Sequence, residues 1–193
     1  MSGADRERWN QRYQQGEHHL ERDAWLIAHA DVLAVAHDRR PRARALDLAC
    51  GSGRHTLWLA ELGYAVDAWD VSDVGLEHLE AELARRRAGA AHLEVVPRQV
   101  DLETATIPRQ TYDAIVDAFF LERRLFPQMI DGLRPGGLLV VRTLLRRAAN
   151  EDRNPAHLLE PGELRATFGD LDILDEEEDA DIGHAGIIAR KGR

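Results

Sequence analysis

The stretch from Arg44 to Asp70 constrains the fold most, because it reads as strand, glycine turn, helix and strand in immediate succession. Residues 45–50 are an apolar run broken by one acid, Asp47, which is typical of a strand buried on both faces of a parallel sheet. Gly51-Ser52-Gly53 follows, and its two residues without Cβ let the polar groups of a ligand approach the backbone. The pattern predicts half of a nucleotide-binding unit, completed by a helix and a second strand at residues 55–62 and 65–69.

Acids stand at the carboxyl ends of three predicted strands. Asp70 comes about twenty residues after the glycines, where a carboxylate accepts both hydroxyls of a ribose. Asp101 and Leu102 follow the third strand, and such a pair binds the amino group of an adenine and covers its face; the alternative is a turn acid that caps the loop. Asp117 lies near the end of the fourth strand, where it orients a ligand amine, accepts a proton, or caps the next helix.

Composition limits the classes of partner. The 193 residues carry 25 Lys and Arg against 34 Asp and Glu, a net charge of −9 that opposes binding to nucleic acid or to an anionic membrane surface. No run approaches eighteen apolar residues and no signal-peptide core begins the chain, so we expect a cytoplasmic protein with a small-molecule substrate. The single cysteine, Cys50, forms no intrachain disulfide, and no Cys/His spacing predicts a metal site.

The region before the first strand, residues 1–40, predicts two helices, at 5–15 and 25–37. Trp9 and Tyr13 stand four residues apart, so both rings share one helix face. One interpretation is that they pack the helix onto the sheet edge. The other is a lid, in which Trp9, Arg12 and Tyr13 close over a small ligand at the ends of the strands.

The remaining pattern completes an α/β chain. A helix capped by Ser72 or Asp73 precedes a third strand, residues 93–100, whose Pro97 indicates an irregular or edge position. The later strands are predicted at residues 113–120, 138–145, 171–174 and 184–191, with helices at 127–133 and 163–168. The last two strands are joined by a short acidic connection at 175–181, which predicts an antiparallel hairpin.

This order of elements, with the loop from Asp47 to Gly53, resembles the class I S-adenosylmethionine-dependent methyltransferases. More narrowly, it is similar to the small bacterial group that includes the tellurite-resistance methyltransferases. The stretches that carry the resemblance are WNQRY from Trp9, ALDLACGSGRHTLWLAELGY, VDAWDVSDVGLEHL, LRPGGLLVV and NPAHLLEPGEL. The resemblance implies a Rossmann-like doubly wound sheet of seven strands, mostly parallel with an antiparallel C-terminal hairpin, in a single methyltransferase domain of residues 1–193.

The resemblance also implies a binding site for S-adenosylmethionine. Asp47 and the glycines would surround the methionine part, Arg54 would pair with its carboxylate, Asp70 would bind the ribose, and Asp117 and Phe119 would lie near the amine and the reacting methyl group. The complete set of implied cofactor contacts is Asp47, Ala49, Gly51, Ser52, Gly53, Arg54, Asp70, Val71, Asp101, Leu102, Asp117 and Phe119.

The acceptor is less constrained. The implied reaction is methyl transfer to a small molecule, and the alternatives are a catalytically inactive cofactor-binding protein and a chalcogen methyltransferase that acts on tellurite or selenite. The C-terminal hairpin is acidic, with His184 as its only histidine, and departs in this from the tellurite group. No catalytic base stands out among Asp117, His157 and His184, and the candidate anion clamps are Arg123, Arg142 and Arg153. A nicotinamide-dependent oxidoreductase is disfavoured because Thr56 replaces the third glycine.

Overall fold

The computed structural model describes residues 3–17, 21–38, 42–88, 93–147 and 150–193. Its strands are β1 Arg44–Leu48, β2 Ala65–Asp70, β3 Val95–Gln99, β4 Tyr112–Ala118, β5 Leu133–Leu144, β6 Asp172–Asp179 and β7 His184–Arg190. Its helices are α1 Gly3–Gln14, α2 Ala24–Ala28, α3 Ala30–Asp38, α4 Arg54–Glu61, α5 Asp73–Ala88, α6 Phe126–Gly132 and α7 Glu163–Phe168. Short 3-10 turns lie at Arg123–Leu125 and Pro155–His157.

The strands form one seven-stranded sheet in the order β3-β2-β1-β4-β5-β7-β6. The pairs β1/β2, β2/β3 and β4/β5 are parallel, whereas β7 pairs antiparallel with both β5 and β6. The predicted fold class, a mostly parallel α/β sheet with an antiparallel C-terminal hairpin, is therefore confirmed. The chain divides into two compact units, Met1–Thr106 and Ile107–Arg193.

The first unit contains β1, β2 and β3 with α1 to α5. Both faces of β1 and β2 are buried, as their apolar runs predict, and Leu46, Leu48 and Ala68 are fully enclosed. β3 is one of the two edge strands and contains Pro97, so the predicted edge position of this proline, which cannot donate to a ladder, is confirmed.

The helix predicted at residues 25–37 is two helices, α2 and α3, which meet at His29. The Nδ1 atom of His29 lies 2.8 Å from the carbonyl oxygen of Trp25 and takes the acceptor that a continuous helix would offer to a backbone N–H. The backbone N–H of His29 bonds instead to the carbonyl of Leu26. A side-chain hydrogen bond therefore ends α2, which apolar periodicity alone does not reveal.

The second unit contains β4 to β7 with α6 and α7. The acidic run 175–179 was predicted as a connection, but the structure places it within β6, paired with residues 184–188 of β7. Arginines offset its charge: Glu176 pairs with Arg165 and Glu177 with Arg142. Asp179 closes the turn by accepting the N–H groups of Asp181 and Ile182. Acids are poor strand formers in isolation, and these long-range ion pairs override that preference.

Candidate functional site

The loop after β1 turns on three residues with positive φ, namely Ala49 at 52°, Gly51 at 56° and Gly53 at 87°. Glycine adopts this conformation without strain, whereas alanine does not, and strained backbone at a strand end is common in ligand sites. The N–H of Gly53 donates to the carbonyl of Cys50 at 2.9 Å, which closes the turn into α4. Ser52 lies between the glycines and is buried.

Asp47 is buried in the middle of the first unit. Its Oδ2 accepts a hydrogen bond of 2.5 Å from the Thr56 hydroxyl on the first turn of α4. Burial nevertheless raises the pKa of Asp47 to about 7, because a carboxylate loses its hydration there. The strand that leads into the loop therefore contains a buried acid whose hydrogen-bond donor is an uncharged hydroxyl.

Asp70, at the end of β2, is joined directly to the glycine loop. Its Oδ2 accepts the N–H of Gly51 at 2.8 Å, and its Oδ1 accepts the N–H of Ser72 at 2.7 Å. Burial raises the pKa of Asp70, while these two N–H groups act in the opposite direction. Each carboxylate oxygen can accept a further hydrogen bond, which is what two ribose hydroxyls require.

The ends of β2 and β3 lie side by side. The N–H of Val100 donates to the Asp70 carbonyl at 2.8 Å, and the Gln99 amide donates to the Val71 carbonyl at 3.1 Å. Asp101 accepts the N–H of Glu103 at 3.0 Å, so its carboxylate caps its own turn. Leu102 is fully buried, and Val71 is buried beside Asp70. The structure thus brings the predicted ribose and adenine residues together, while their ligand contacts stay a prediction.

Helix α1 places Tyr13 over the loop. A Cβ built on Gly51 would lie 2.3 Å from the Tyr13 hydroxyl, so the phenol occupies the space that the missing side chain leaves. Burial and the nearby Asp70 raise the pKa of Tyr13, which stays a neutral hydrogen-bonding group. The ring also meets His78 of α5 edge-on, with centroids 6.3 Å apart.

The other two predicted lid residues stand beside Tyr13. The Trp9 ring stacks with the Tyr13 ring at 6.1 Å, and the Arg12 guanidinium lies 4.8 Å over the Trp9 ring. Arg12 also pairs with Glu17 at 3.0 Å on the exposed side of α1. The aromatic pair is therefore assembled at the loop, whereas the charge of Arg12 is turned toward Glu17.

Arg54, the first residue of α4, contacts the segment that follows α1. Its Nη1 donates to the carbonyl of Glu21 at 3.2 Å, and burial lowers the pKa of Arg54 from its ordinary value. The next residue, His55, has its pKa lowered to about 3 by burial, and its Nε2 accepts the N–H of Asp23. A cavity of about 630 Å³ lies beside Ser52, Arg54 and Leu57. Two neighbouring side chains of α4 thus hold the N-terminal segment.

Two predicted site residues belong to the second unit. Asp117 on β4 is fully buried. Phe119 has a φ of 65°, donates its N–H to the Arg142 carbonyl at 2.6 Å, and packs its ring edge-on against His184 at 5.2 Å. A non-glycine residue in this conformation is strained, and the strain lies at a strand's carboxyl end, as it does at Ala49.

Two of the three candidate anion clamps, Arg142 and Arg123, make ion pairs. The buried Arg142 pairs with Glu177 at 2.5 Å, and Arg123 forms two bonds with Glu163 and donates to the carbonyl of Leu158. Arg153 lines an open cavity of about 390 Å³ and is exposed, like His157. These ion pairs give Arg142 and Arg123 a structural role in the second unit.

Sequence reasoning gave no role in the site to three residues that organise it, Asn10, Thr56 and Ser72, although it named Ser72 correctly as a candidate helix cap. Thr56 serves the buried Asp47, and the need of a buried acid for a donor was the available signal. Asn10 bonds to Ser72 and Asp73, more than sixty residues away, and no local pattern predicts such a contact.

Metal sites and membrane spans were searched in the part of the chain that the structure describes. There, no cluster of three or more His, Cys, Asp or Glu side chains could hold a metal ion. Within the same residues, no helix has both the length and the apolar character needed to cross a bilayer.

Known proteins resemble the chain along most of its length. A family model described as "Tellurite resistance protein TehB" matches residues 13–186. A curated relative from Haemophilus influenzae, named "Probable S-adenosyl-L-methionine-dependent methyltransferase TehB", is 28% identical over 158 residues, which are 78% of this chain and 53% of the relative. The chain spans about half the length of the curated relatives it matches.

Solved structures share the fold. The crystal structure of TehB from Haemophilus influenzae matches with a TM-score of 0.67 and 23% identity, over 83% of this chain and 62% of that one. Coclaurine N-methyltransferase, solved with N-methylheliamine and SAH, matches with a TM-score of 0.65 and 16% identity, over 86% of this chain and 72% of that one. At these identities the likeness shows the fold.

Proposed function

Because this chain belongs to the family described as tellurite resistance protein TehB, we propose that it transfers a methyl group from S-adenosylmethionine to a small-molecule acceptor. The family membership confirms the resemblance predicted from the sequence. The observation that carries the proposed activity is the Asp70 carboxylate, buried at the end of β2 and bonded to the N–H of Gly51 in the loop after β1. A carboxylate that can accept hydrogen bonds from two ribose hydroxyls and a glycine turn thereby belong to one site.

The chemistry of the first unit fits this cofactor. Asp70 accepts hydrogen bonds from the ribose hydroxyls, because each of its two carboxylate oxygens takes one backbone N–H and retains acceptor capacity. In the glycine loop, the Tyr13 hydroxyl lies where a side chain on Gly51 would stand, so a phenol contacts the loop directly. The cofactor supplies an electrophilic methyl group on a sulfonium when it is bound.

The chain's own residues bind the cofactor and exclude water from it. Asp70 and Asp101 hold the nucleoside, Arg54 offers a cation for the carboxylate end, and Asp47 lies beneath the loop. The Tyr13 side chain of α1 covers Gly51, and the Trp9 ring stacks on the Tyr13 ring, so this helix excludes water from that side of the loop. Because the methyl group is already activated, alignment of the acceptor is the main demand on the protein, and no dedicated base is assigned.

A second candidate acceptor is an oxyanion such as tellurite or selenite. The family description and the buried Arg142 at the end region of β5 favour it. The pairing of Arg142 with Glu177 and of Arg123 with Glu163 weighs against it, because those charges are already neutralised. An uncharged or cationic small molecule is therefore the first choice, and a catalytically inactive binding protein is the remaining alternative.

Calorimetry tests the cofactor assignment. The wild-type protein is expected to bind S-adenosylmethionine and S-adenosylhomocysteine, and Asp70→Ala to weaken binding by about tenfold or more, since hydrogen bonds to a charged group are lost. Asp70→Asn, which keeps the shape and one acceptor, is expected to lie between the two. Circular dichroism checks that each variant folds. No binding of either ligand at high micromolar concentration would contradict the proposal.

An acceptor panel separates the alternatives. Release of S-adenosylhomocysteine is measured with small amines, thiols and phenols, and in parallel with tellurite and selenite. Turnover with an organic acceptor supports the first choice, and turnover confined to the oxyanions supports the second. Cofactor binding without turnover on any acceptor would favour the inactive binding protein.

A further inference from the structure

Helix α1 packs on α5 through side chains that are at most half-buried. It has twelve residues, all of them described, and none of them is buried. A polar helix of this length is marginal in water on its own, so its position depends on the side chains that dock it. Two of those side chains, Asn10 and Tyr13, lie one turn apart.

Both the nitrogen and the oxygen of the Asn10 side-chain amide form hydrogen bonds. Its Nδ2 donates to Asp73 at 2.8 Å, and its Oδ1 accepts from the Ser72 hydroxyl at 2.7 Å. The same hydroxyl oxygen accepts the N–H of Gly75 at 2.9 Å, which leaves its hydrogen directed at Asn10. The carboxylate of Asp73 requires a donor, so this orientation of the amide satisfies all three partners.

Ser72 connects this contact to the cofactor loop. Its N–H donates to Oδ1 of Asp70, and Oδ2 of Asp70 accepts the N–H of Gly51. One turn further along α1, the Tyr13 hydroxyl covers Gly51, and a Cβ on Gly75 would lie 3.0 Å from the Tyr13 ring. The two docking points of α1 therefore meet the two sides of the loop that Asp70 holds.

We propose that Asn10 is a positioning residue that docks α1 over the glycine loop, so that docking of α1 and binding of the cofactor stabilise each other. The coupling rests on the proposed function, whereas the docking itself does not. Coupling is reciprocal: if docked α1 strengthens binding, then the bound ligand shifts the equilibrium of α1 toward the docked state by the same factor. The hydrogen bond from Asn10 is also the main cause that lowers the pKa of Asp73.

Hydrogen exchange of the α1 amides tests docking without any ligand. Asn10→Ala is expected to speed their exchange by about tenfold, because a charged and a neutral hydrogen bond are both lost. Gln11→Ala removes an exposed amide from the same helix and is the matched control. Equal exchange in the two variants would overturn the docking role of Asn10.

A charge exchange provides the rescue. Asn10→Asp places two carboxylates together and is expected to undock α1, whereas the double variant Asn10→Asp/Asp73→Asn restores a donor and an acceptor with their positions reversed. Asp73→Asn alone controls for the changed start of α5. Exchange in the double variant that stays as fast as in Asn10→Asp would contradict the proposed contact.

Affinity for S-adenosylhomocysteine tests the coupling. Asn10→Ala is expected to bind it about fivefold to tenfold more weakly than Gln11→Ala, and the ligand is expected to slow α1 exchange less in that variant. Equal affinity with faster exchange would overturn the coupling and leave the docking. Failure of the wild-type protein to bind the ligand would overturn both the proposed function and the coupling, while the ligand-free exchange still decides the docking.

Discussion

Two acids of the first unit and two arginines of the second are held in opposite ways. In the first unit, Asp47 and Asp70 take hydrogen bonds from a hydroxyl and from backbone N–H groups. In the second unit, Arg142 and Arg123 pair with the carboxylates of Glu177 and Glu163. Neutral donors leave an acid its charge and part of its acceptor capacity, whereas an ion pair neutralises both partners. The difference supports the proposal that the acids of the first unit accept hydrogen bonds from the hydroxyl and amino groups of a ligand.

The pKa values follow the same division. Burial raises the pKa of Asp47 to about 7, against the opposing effects of the Thr56 hydrogen bond and the Arg54 charge, and burial also raises the pKa of Asp70. The hydrogen bonds from Arg123 lower the pKa of Glu163 in the second unit. Acids that cost stability when charged are therefore concentrated where the cofactor is proposed to bind, a pattern typical of functional sites.

The largest expected effect is the pH dependence that Asp47 imposes. Its pKa is about 7 in the folded state against an ordinary 3.8, so the folded protein holds this proton more tightly. Its contribution to stability is complete below about pH 4 and is lost as the pH rises to about 7, by up to about 4 kcal/mol. Urea denaturation of wild type and Asp47→Asn across this range measures it.

The difference in unfolding free energy between wild type and Asp47→Asn is needed because His55 changes the stability with pH in the opposite sense. The pKa of His55 is about 3 in the folded state, so its contribution is lost as the pH falls below about 6.5. That contribution is common to wild type and variant and cancels. A difference in unfolding free energy that stays flat over the range would contradict the raised pKa of Asp47.

The second effect breaks the loop of the first unit. Gly51→Ala places a methyl group against the Tyr13 hydroxyl and in a positive-φ position, so we expect a loss of about 2 kcal/mol of unfolding free energy, because an alanine adopts this conformation at a cost of about 1–2 kcal/mol. Binding of S-adenosylhomocysteine should weaken as Tyr13 is displaced. Gly136→Ala, at a φ of 80° with nothing within 4 Å, carries the strain alone and is the control in the second unit.

Tyr13→Phe removes the atom that the new methyl group meets. In that background the nearest ring carbon lies 3.3 Å from the added Cβ, so Gly51→Ala should cost less stability. Thermal denaturation of the four proteins gives the coupling between the two positions. Additive losses would show that Tyr13 does not cover Gly51 in solution.

The smallest effect belongs to the second unit. Glu177→Ala removes a carboxylate from the buried Arg142 and should lower the unfolding free energy by about 1 to 2 kcal/mol, since the charged hydrogen bond is partly exposed. Glu178→Ala removes a 3.6 Å pair with Arg147 and an exposed hydrogen bond from the Gly162 N–H, so it should cost about 1 kcal/mol or less. Affinity for S-adenosylhomocysteine should be unchanged in both. A weaker affinity in Glu177→Ala would remove the contrast between the units.

The parts of the fold that the sequence predicted share one property: they depend on neighbours within about one turn or one strand. The buried runs of β1 and β2, the edge position of Pro97, the glycine turn and the acid that ends β2 all follow from local pattern. The helix break at His29 was missed because it depends on one imidazole hydrogen bond. The acidic run of β6 was misplaced because its arginine partners, Arg165 and Arg142, lie outside the strand and its connection, where a local pattern does not include them.

By itself, the sequence determined the succession of helices and strands along the chain, the glycine loop and the acids at the strand ends, because periodicity, glycine and buried polar groups constrain the chain locally. Only the tertiary structure decided that Asn10 meets Ser72 and Asp73, that Tyr13 covers Gly51, and that Glu177 pairs with Arg142. Side chains separated by thirty-five or more residues meet only after the elements pack. Their partners are therefore a property of the packed fold, and no local pattern contains them.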